Sequence, residues 1–285
     1  MGIGKSPDGA INVAADAISD LRNFIELSWS GAGFAQNSER ILAVLTRTRE
    51  ETGRRQYSAA EVERFARLEK FASEHCKKDF PYLYGLASLR LWSILESACW
   101  DLMKEELLDL SRWKSDERLR KLKGSIVEVS LAASADRTDL MLEGIKRELV
   151  ARREKGLGGF ESALELVGLA GPIAEPVTKL LYELREVRNA VAHRNGFADK
   201  RFLQACPWFA ALEDELISVA PQRFHQYILA AQWYIVELDL RIRIRDGQSR
   251  DDEPPGQNIS GLSAELLSAI DDASAVAPSS RACGT

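Results

Sequence analysis

An arginine and a histidine in the segment RNAVAH, residues 188–193, are the side chains of this sequence best suited to catalysis. The guanidinium of Arg188 presents a planar fork of donors that matches phosphate oxygens, and the imidazole of His193 exchanges protons near neutral pH. RNA carries its own nucleophile, the 2′-hydroxyl, so its cleavage needs only a group that moves protons and a cation that stabilises the phosphate. DNA lacks that hydroxyl, and this chemistry would spare it.

A helix from about residue 173 to residue 194 positions these side chains. Pro172 and Pro176 suit its first turn, and Gly196 suits its C-terminal cap. Apolar residues recur within it at steps of three and four, which predicts one face that packs against a core or a partner. Arg188 lies within this apolar stripe, whose members are Val177, Leu180, Leu181, Leu184, Val187 and Val191.

Helical phase separates the two candidate catalytic side chains. At about 100° per residue, His193 lies about 140° around the helix from Arg188 but only about 40° from Asn189. Asn189 and His193 are therefore predicted neighbours, and Arg188 is predicted to point inward. A buried guanidinium needs an anion or carbonyl groups to receive it. A purely structural alternative stays open, in which Arg188 pairs with a carboxylate inside the bundle and His193 offsets the helix dipole.

The spacing of Arg188 and His193, with polar Asn189 directly after the arginine, resembles the motif of the HEPN superfamily, whose active members are metal-independent endoribonucleases. The resemblance implies that these three residues are catalytic, that no metal or cofactor takes part, and that cleavage leaves a 2′,3′-cyclic phosphate and a 5′-hydroxyl. The motif helices of two HEPN protomers usually meet, which implies a homodimer with a composite active site. Stand-alone members are mostly toxins or effectors of prokaryotic toxin–antitoxin or anti-phage defence systems, which implies an antitoxin or defence partner protein.

Composition indicates a soluble globular protein whose contacts with RNA are local. The chain has 285 residues, of which 45% are hydrophobic and 28% charged, and its formal net charge is -5. A net negative charge argues against a protein that coats nucleic acid, because such affinity comes largely from lysines and arginines. Arg194, Lys200 and Arg201 follow the motif helix and are the preferred RNA-binding residues; a basic cluster at 147–155 precedes it. The alternative for both clusters is a solvated helix end.

The cysteines and the N-terminal segment indicate a cytoplasmic protein. The four cysteines, at positions 76, 99, 206 and 283, lack the paired spacing of zinc sites and disulfide scaffolds, which suits a reducing compartment. The first residues contain no apolar stretch of signal-peptide length, and no segment is long and apolar enough to span a membrane, so neither secretion nor membrane insertion is expected. His75 beside Cys76 could form a base and a nucleophile, although adjacent side chains on a helix face apart.

Periodicity predicts an all-α protein, a HEPN-like antiparallel helical bundle with additional N-terminal helices and a flexible C-terminal tail. Ser58 and Glu61 form a predicted capping box at the start of one helix. No alternating pattern typical of strands competes with this interpretation. The predicted helices are near 10–29, 36–53, 58–78, 81–109, 137–155, 159–170, 173–194, 199–218 and 221–245.

The helix that begins at Pro81 is predicted to be the central one, because only Arg90, Glu96 and Asp101 carry charge between Pro81 and Met103. Arg90 and Glu96 lie about 120° apart around the axis, so each needs a partner from elsewhere. Glu96 is a candidate supporting residue that receives Arg188, as acidic residues on this helix do in some HEPN families. A structural pair without a catalytic part is the alternative.

The predicted domain organisation follows composition. Residues 1–57 form an N-terminal helical extension, residues 58–246 form the HEPN-like bundle, and residues 247–285 form a linker and a short amphipathic tail. The apolar side of the tail could dock on the bundle, on a second protomer or on a partner protein.

Two functions other than a ribonuclease fit the same residues. The first is a non-catalytic HEPN-type helical module that binds RNA, nucleotide or a partner protein. The second is a helical scaffold in which Arg188 simply closes a buried ion pair.

Overall fold

A computed structural model describes residues 9–108, 134–151, 156–209, 211–248 and 259–275. Within these residues the fold is all-α; the sole extended pairing is an isolated antiparallel bridge between Phe197 and Leu216. None of the helices in these ranges is long and apolar enough to cross a membrane. The helices are α1 (Ala10–Ala35), α2 (Ser38–Glu51), α3 (Ala59–Cys76), α4 (Pro81–Leu108), α5 (Ser134–Ala151), α6 (Leu157–Glu165), α7 (Glu175–Arg194), α8 (Lys200–Ala205), α9 (Pro221–Arg245) and α10 (Ile259–Ala275).

One predicted helix, at residues 199–218, is wrong beyond its first turns. Helix α8 ends at Ala205, and Pro207 follows, which cannot donate a helical hydrogen bond. The chain then folds back to the end of the motif helix α7, where the N–H of Ala198 donates to the Glu215 carbonyl (2.8 Å) and the N–H of Ile217 to the Gly196 carbonyl (2.8 Å). These long-range backbone bonds replace the intrahelical ones that the composition of the segment predicts.

Helix α4 is the centre of the bundle, as its composition predicts. It packs against α1, α5, α6, α7 and α9, and its buried side chains include Leu91, Leu95, Leu102 and Met103. One strip of the same helix stays open to solvent, because Tyr82 is 69% and Leu86 44% exposed.

Helix α1 lies along α4 and shares its hydrophobic core. Ile18 and Ile25 are buried in the contact, and the indole Nε1 of Trp29 donates to the Tyr84 hydroxyl (2.6 Å). Helices α2 and α3 pack against each other, and α3 also contacts α1. The first helix of the chain thus belongs to the same core as the motif helix.

The predicted capping box at the start of α3 is confirmed. The Ser58 hydroxyl accepts a hydrogen bond from the Glu61 N–H, and the Glu61 carboxylate accepts one from the Ser58 N–H (2.7 Å). This hydrogen bonding lowers the pKa of the Glu61 carboxyl. Two of the N–H donors at this helix end thereby gain an acceptor.

Removing this cap should destabilise the protein modestly. We expect Ser58→Ala to lower the free energy of unfolding by about 1 kcal/mol, because the first turn of α3 loses its acceptor. Urea denaturation followed by circular dichroism measures the difference. Ser19→Ala, an exposed serine inside α1, is the matched control and should change stability by less than about 0.5 kcal/mol. Equal effects of the two substitutions would mean that the cap contributes nothing.

The C-terminal helix α10 docks on the bundle of its own chain, which was one of the three alternatives for the tail. Leu266 and Ile270 are buried, and the Ser263 hydroxyl donates to the Glu237 carboxylate on α9 (2.7 Å). The predicted flexible linker falls mostly on residues 249–258, which lie outside the described residues.

Three arginines of α9 hold carboxylates from three other helices. Arg223 pairs with Glu183 on α7, Arg241 pairs with Glu161 on α6 (2.9 Å), and Arg245 pairs with Glu106 on α4 (2.6 Å). Along its length α9 is therefore tied to the motif helix, to α6 and to the central helix. Sequence reasoning missed all three pairs, because their partners are 40 to 139 residues apart in the chain.

Candidate functional site

The motif helix α7 begins two residues after the predicted start and ends at Arg194, as predicted. Pro176 lies in the first turn, where its missing N–H costs nothing. The left-handed cap residue is Asn195 (φ 52°) rather than the predicted Gly196, which follows with φ 84°. Asparagine tolerates this conformation better than most residues. The N–H groups of both residues donate to the Ala190 carbonyl, which ends the helix just after His193.

Arg188 lies at the seam between α7 and α4, with 28% of its side chain exposed. Its Nη2 is 3.8 Å from Oε2 of Glu96 on α4, so the predicted supporting carboxylate is beside it. Its Nη1 donates to Oδ1 of Asn189 (3.2 Å), and its Nε is buried without a partner among the described residues. The prediction of an inward arginine is correct in direction, but the guanidinium reaches the edge of the core rather than its interior.

The guanidinium of Arg188 is held more loosely than the arginines of α9. Arg245 makes two hydrogen bonds to Glu106 (2.6 and 2.9 Å), whereas Arg188 has one distant carboxylate whose side chain is 43% exposed. A guanidinium has five N–H donors, and the described residues accept only one hydrogen bond from Arg188, at Oδ1 of Asn189, so its partly exposed Nη groups keep donors for an anion. Arg188 therefore does not close a fully buried ion pair, as the scaffold alternative requires.

His193 is exposed and borders a small cavity of about 120 Å³, which has room for about four water molecules. Three other predicted site residues line the same cavity, namely Asn189, Arg194 and Arg201. Asn189 and His193 are thus on one face, as the helical phase predicts. Asn189 also accepts a hydrogen bond from Arg188, so it links the cavity to the α4–α7 seam.

Two acidic residues of the cavity wall were missed by sequence reasoning. Asp199 caps α8 by accepting from the Phe202 N–H (2.8 Å), and its other oxygen pairs with Nη2 of Arg194 (3.0 Å). Glu186 is buried and accepts from Arg185 (2.7 Å). Asp199 could have been found as an aspartate directly before a short helix. The two carboxylates orient neighbouring arginines and offset part of their charge.

The structure does not bring all of the predicted site residues together. Arg188 and Glu96 lie at the α4–α7 seam and do not line the cavity beside His193. Lys200 does not line it either; its ammonium group is exposed and lies 3.9 Å from Glu213. In a single copy of the chain, the candidate phosphate-binding arginine and the candidate proton-transfer histidine therefore face different spaces.

The buried thiols offer no alternative nucleophile. Burial raises the pKa of Cys206 to about 12 and raises that of Cys99 further above its ordinary value. Cys76 is buried, and the ring of its neighbour His75 packs against Phe71 with centroids 4.2 Å apart. A thiolate is the reactive form of cysteine, so Cys99 and Cys206 are inert at neutral pH. In the ranges that the structure describes, no cluster of three side chains could hold a metal ion.

Comparisons with known proteins add no relative to this picture. No protein-family model matches the chain, and neither a curated protein nor a solved structure matches it. The relation to the HEPN superfamily stays a prediction from the motif.

Proposed function

We propose that this protein is a metal-independent endoribonuclease of the HEPN type. The supporting observation is the arrangement at the end of α7. Arg188 is partly exposed at the α4–α7 seam and makes one hydrogen bond, to Asn189, and the exposed His193 lies beside Asn189 in a cavity with two further arginines. A phosphodiester bound over Asn189 would have the Arg188 guanidinium on one side and the His193 imidazole on the other.

The proposed reaction needs no group that the chain lacks. The 2′-oxygen of the substrate attacks the adjacent phosphorus, the new P–O2′ bond forms, and the bond to the 5′-oxygen of the next nucleotide breaks. His193 of one copy accepts the proton of the 2′-hydroxyl, His193 of a second copy donates a proton to the departing 5′-oxygen, and Arg188 stabilises the charge on the phosphate. The products are a 2′,3′-cyclic phosphate and a 5′-hydroxyl.

A homodimer suits this chemistry better than a monomer. The reaction needs one base and one acid, and each copy offers one motif histidine. Two copies whose motif helices meet would provide both groups in a composite site. Because Arg188 and His193 of one copy face different spaces, pairing of copies is also a way to bring an arginine and a histidine to one phosphate.

The remaining predicted residues have supporting roles in this proposal. Glu96 orients Arg188 across the seam, and Asn189 fixes the guanidinium from its own helix. Arg194 and Arg201 bind the flanking phosphates of the RNA at the cavity, and Lys200 contacts the chain further out. We further propose a toxin or effector of a prokaryotic defence or toxin–antitoxin system, acting in the cytoplasm and restrained by a partner protein. Only the resemblance of the motif supports that biological role.

Matched substrates test the proposed reaction. The purified protein is incubated in EDTA with an RNA oligonucleotide, with DNA of the same sequence, and with that DNA carrying a single ribonucleotide. We expect cleavage of the RNA, cleavage of the third substrate only after its ribonucleotide, and no cleavage of DNA. Mass spectrometry should find 2′,3′-cyclic phosphate ends. Cleavage of plain DNA, or activity that EDTA abolishes, would contradict the proposal.

The second candidate function is a non-catalytic module that binds RNA, nucleotide or a partner protein. The separation of Arg188 from the cavity beside His193 favours it, since a binding site needs no convergence of the two groups. The same assay separates the two candidates, because a module would retain RNA in a filter-binding measurement without cutting it.

A further inference from the structure

Glu186 brings a buried carboxylate to the cavity beside His193. The residue is 5% exposed and lines the cavity. Its Oε1 accepts from Arg185 (2.7 Å), and its Oε2 has no hydrogen-bond partner among the residues that the structure describes. Oε2 is not sealed inside the core, because the fully buried side-chain N and O atoms without a partner in those residues belong to Arg188 and Trp233. Oε2 is therefore an unused acceptor that opens onto the cavity.

Asn189 supplies unused donors next to this acceptor. Its Oδ1 accepts from Arg188, whereas its amide nitrogen Nδ2 has no acceptor among the described residues. Asn189 follows Glu186 by three residues, so the two lie about 60° apart around α7 and line the same cavity. Ala190, between Glu186 and His193, contributes only a methyl group to the cavity wall. The cavity thus has a donor and an acceptor side by side above a small side chain.

The other charged residues of the cavity are either committed or exposed. Asp199 uses both of its oxygens, since one accepts from the Phe202 N–H (2.8 Å) and the other pairs with Arg194 (3.0 Å). Arg201 is exposed and makes no ion pair or hydrogen bond with any residue that the structure describes. A phosphate inside the cavity would be repelled by Glu186, so phosphates bind outside it, at Arg201. The interior suits a neutral group that donates hydrogen bonds to a carboxylate.

We propose that this cavity is a nucleobase pocket that binds guanine by its Watson–Crick edge. That edge presents the acceptor O6, followed by the donors N1–H and N2–H. The Asn189 amide donates to O6, and the Glu186 carboxylate accepts from N1–H and N2–H. The volume of about 120 Å³ has room for one base but not for a whole nucleotide. Single-stranded RNA can supply such a base, because its unstacked bases are free to turn outward.

The other three bases do not present this order of groups. Uracil and cytosine carry a carbonyl oxygen where guanine carries its N2 amino group, and that oxygen would face Glu186. Adenine has an unprotonated nitrogen at position 1, which would also face the carboxylate. A mismatched base therefore leaves a nearly buried carboxylate without a donor, which is the situation that gives a polar pocket its strongest selectivity.

The guanine pocket deepens the proposed ribonuclease, and rests on it for the position of the cut. Glu186 and His193 are seven residues apart, which places them about 20° apart around α7 and about 10 Å apart along it. This separation is of the order of the length of a nucleoside. A guanosine whose base contacts Glu186 therefore places its ribose near His193, and its 2′-hydroxyl attacks its own 3′-phosphate. RNA should be cut on the 3′ side of guanosine.

Calorimetric titration with nucleoside 3′-monophosphates tests the pocket without cleavage, because these molecules have no downstream nucleotide to release. We expect guanosine 3′-monophosphate to bind the wild-type chain at least about 10-fold more tightly than the adenosine, cytidine and uridine compounds. The inosine compound lacks only the N2 amino group. It should bind about 10-fold to 100-fold more weakly than the guanosine compound, because one hydrogen bond to a charged acceptor is lost.

Glu186→Gln identifies the side chain that reads the amino group. The amide oxygen stays with Arg185 and the amide nitrogen then faces the base, so the variant should bind the guanosine and inosine compounds with equal affinity. A merely structural role would weaken both and keep their ratio. Glu175→Gln, an exposed glutamate in the first turn of the same helix, is the matched control and should keep the wild-type ratio. The comparison of guanosine with inosine in the wild type needs no variant to fold.

The outcomes separate the pocket from the ribonuclease. Equal affinities of the wild type for the guanosine and inosine compounds, no binding of any nucleotide at millimolar concentration, or an unchanged ratio in Glu186→Gln would each overturn the guanine pocket. Selective binding without any RNA cleavage would support the pocket and refute the ribonuclease. RNA cleavage without preference for guanosine, together with equal nucleotide affinities, would refute the pocket and leave the ribonuclease standing.

Discussion

Replacing Arg188 or His193 by alanine is expected to reduce the rate of RNA cleavage by about 100-fold to 10,000-fold. Loss of a group that transfers protons in the transition state typically costs factors of this size, and loss of a donor to a developing oxyanion costs about 100-fold to 1,000-fold. The effect should appear in kcat more than in KM, because both groups act on the transition state. Single-turnover cleavage of a labelled RNA oligonucleotide measures it.

Conservative replacements and matched controls make this result specific. Arg188→Lys keeps the charge but loses the planar fork that binds two phosphate oxygens, so we expect it to resemble the alanine variant. His225→Ala and Arg22→Ala change exposed residues of the same types away from α7 and should retain full activity. Full activity in Arg188→Ala or His193→Ala would refute the roles assigned to these side chains. Thermal melts of each variant separate lost chemistry from lost structure.

Replacing Glu183 by alanine is expected to lower the free energy of unfolding by about 3–5 kcal/mol, the largest effect on stability of any change considered. Glu183 on the motif helix is fully buried. Its carboxylate accepts hydrogen bonds from the guanidinium of Arg223 (2.6 Å from Nε), the Tyr227 hydroxyl and the Trp208 indole. Burial, followed by the neighbouring charge of Glu183, holds the pKa of Tyr227 well above its ordinary value. Without the carboxylate, the partly buried guanidinium of Arg223 and two further donors lose this acceptor.

Urea denaturation with a double substitution identifies the cause of this loss. Glu183→Leu combined with Arg223→Met removes both charges and should be more stable than Glu183→Leu alone, because no partly buried cation then lacks its carboxylate. Glu26→Ala, an exposed glutamate of α1, should change stability by less than about 0.5 kcal/mol. A Glu183→Ala variant within 1 kcal/mol of wild type would show that the cluster contributes little to stability.

Local signals in the sequence were sufficient for most of the helices. Pro81 and Pro176 mark helix starts, and the Ser58 box marks another, because each of these signals acts within one turn of its own helix. Residues 211–217 defeated the same reasoning, since the N–H groups of Asp214 and Ile217 donate to carbonyls just after α7, at Ala198 and Gly196, rather than to neighbours four residues away. No local pattern specifies which distant carbonyl will accept such a bond.

The directions of the candidate site residues around α7 could be predicted from the sequence. The contacts that they make with other parts of the chain could not. A repeat of 100° per residue is enough to place Asn189 beside His193 and to turn Arg188 toward the core. Helical phase cannot reveal that Asp199 pairs with Arg194, or that Lys200 does not line the cavity beside His193. Both facts depend on the path of the chain after α7. The pairing of Arg188 with Glu96 was found because so few charges interrupt α4.

Two of the α9 arginines, Arg223 and Arg245, influence how precisely Arg188 is positioned between α7 and α4. Through Glu183 and Glu106, α9 forms separate ion pairs with α7 and α4, so moving these two helices apart would separate opposite charges that are partly or fully buried. Catalytic groups must be held to within about 0.5 Å of their working positions. In this bundle the distance between the motif helix and its supporting carboxylate is set by a third helix that contributes no residue to the site. Preorganisation of the site would therefore be lost through substitutions in α9, far from any contact with substrate.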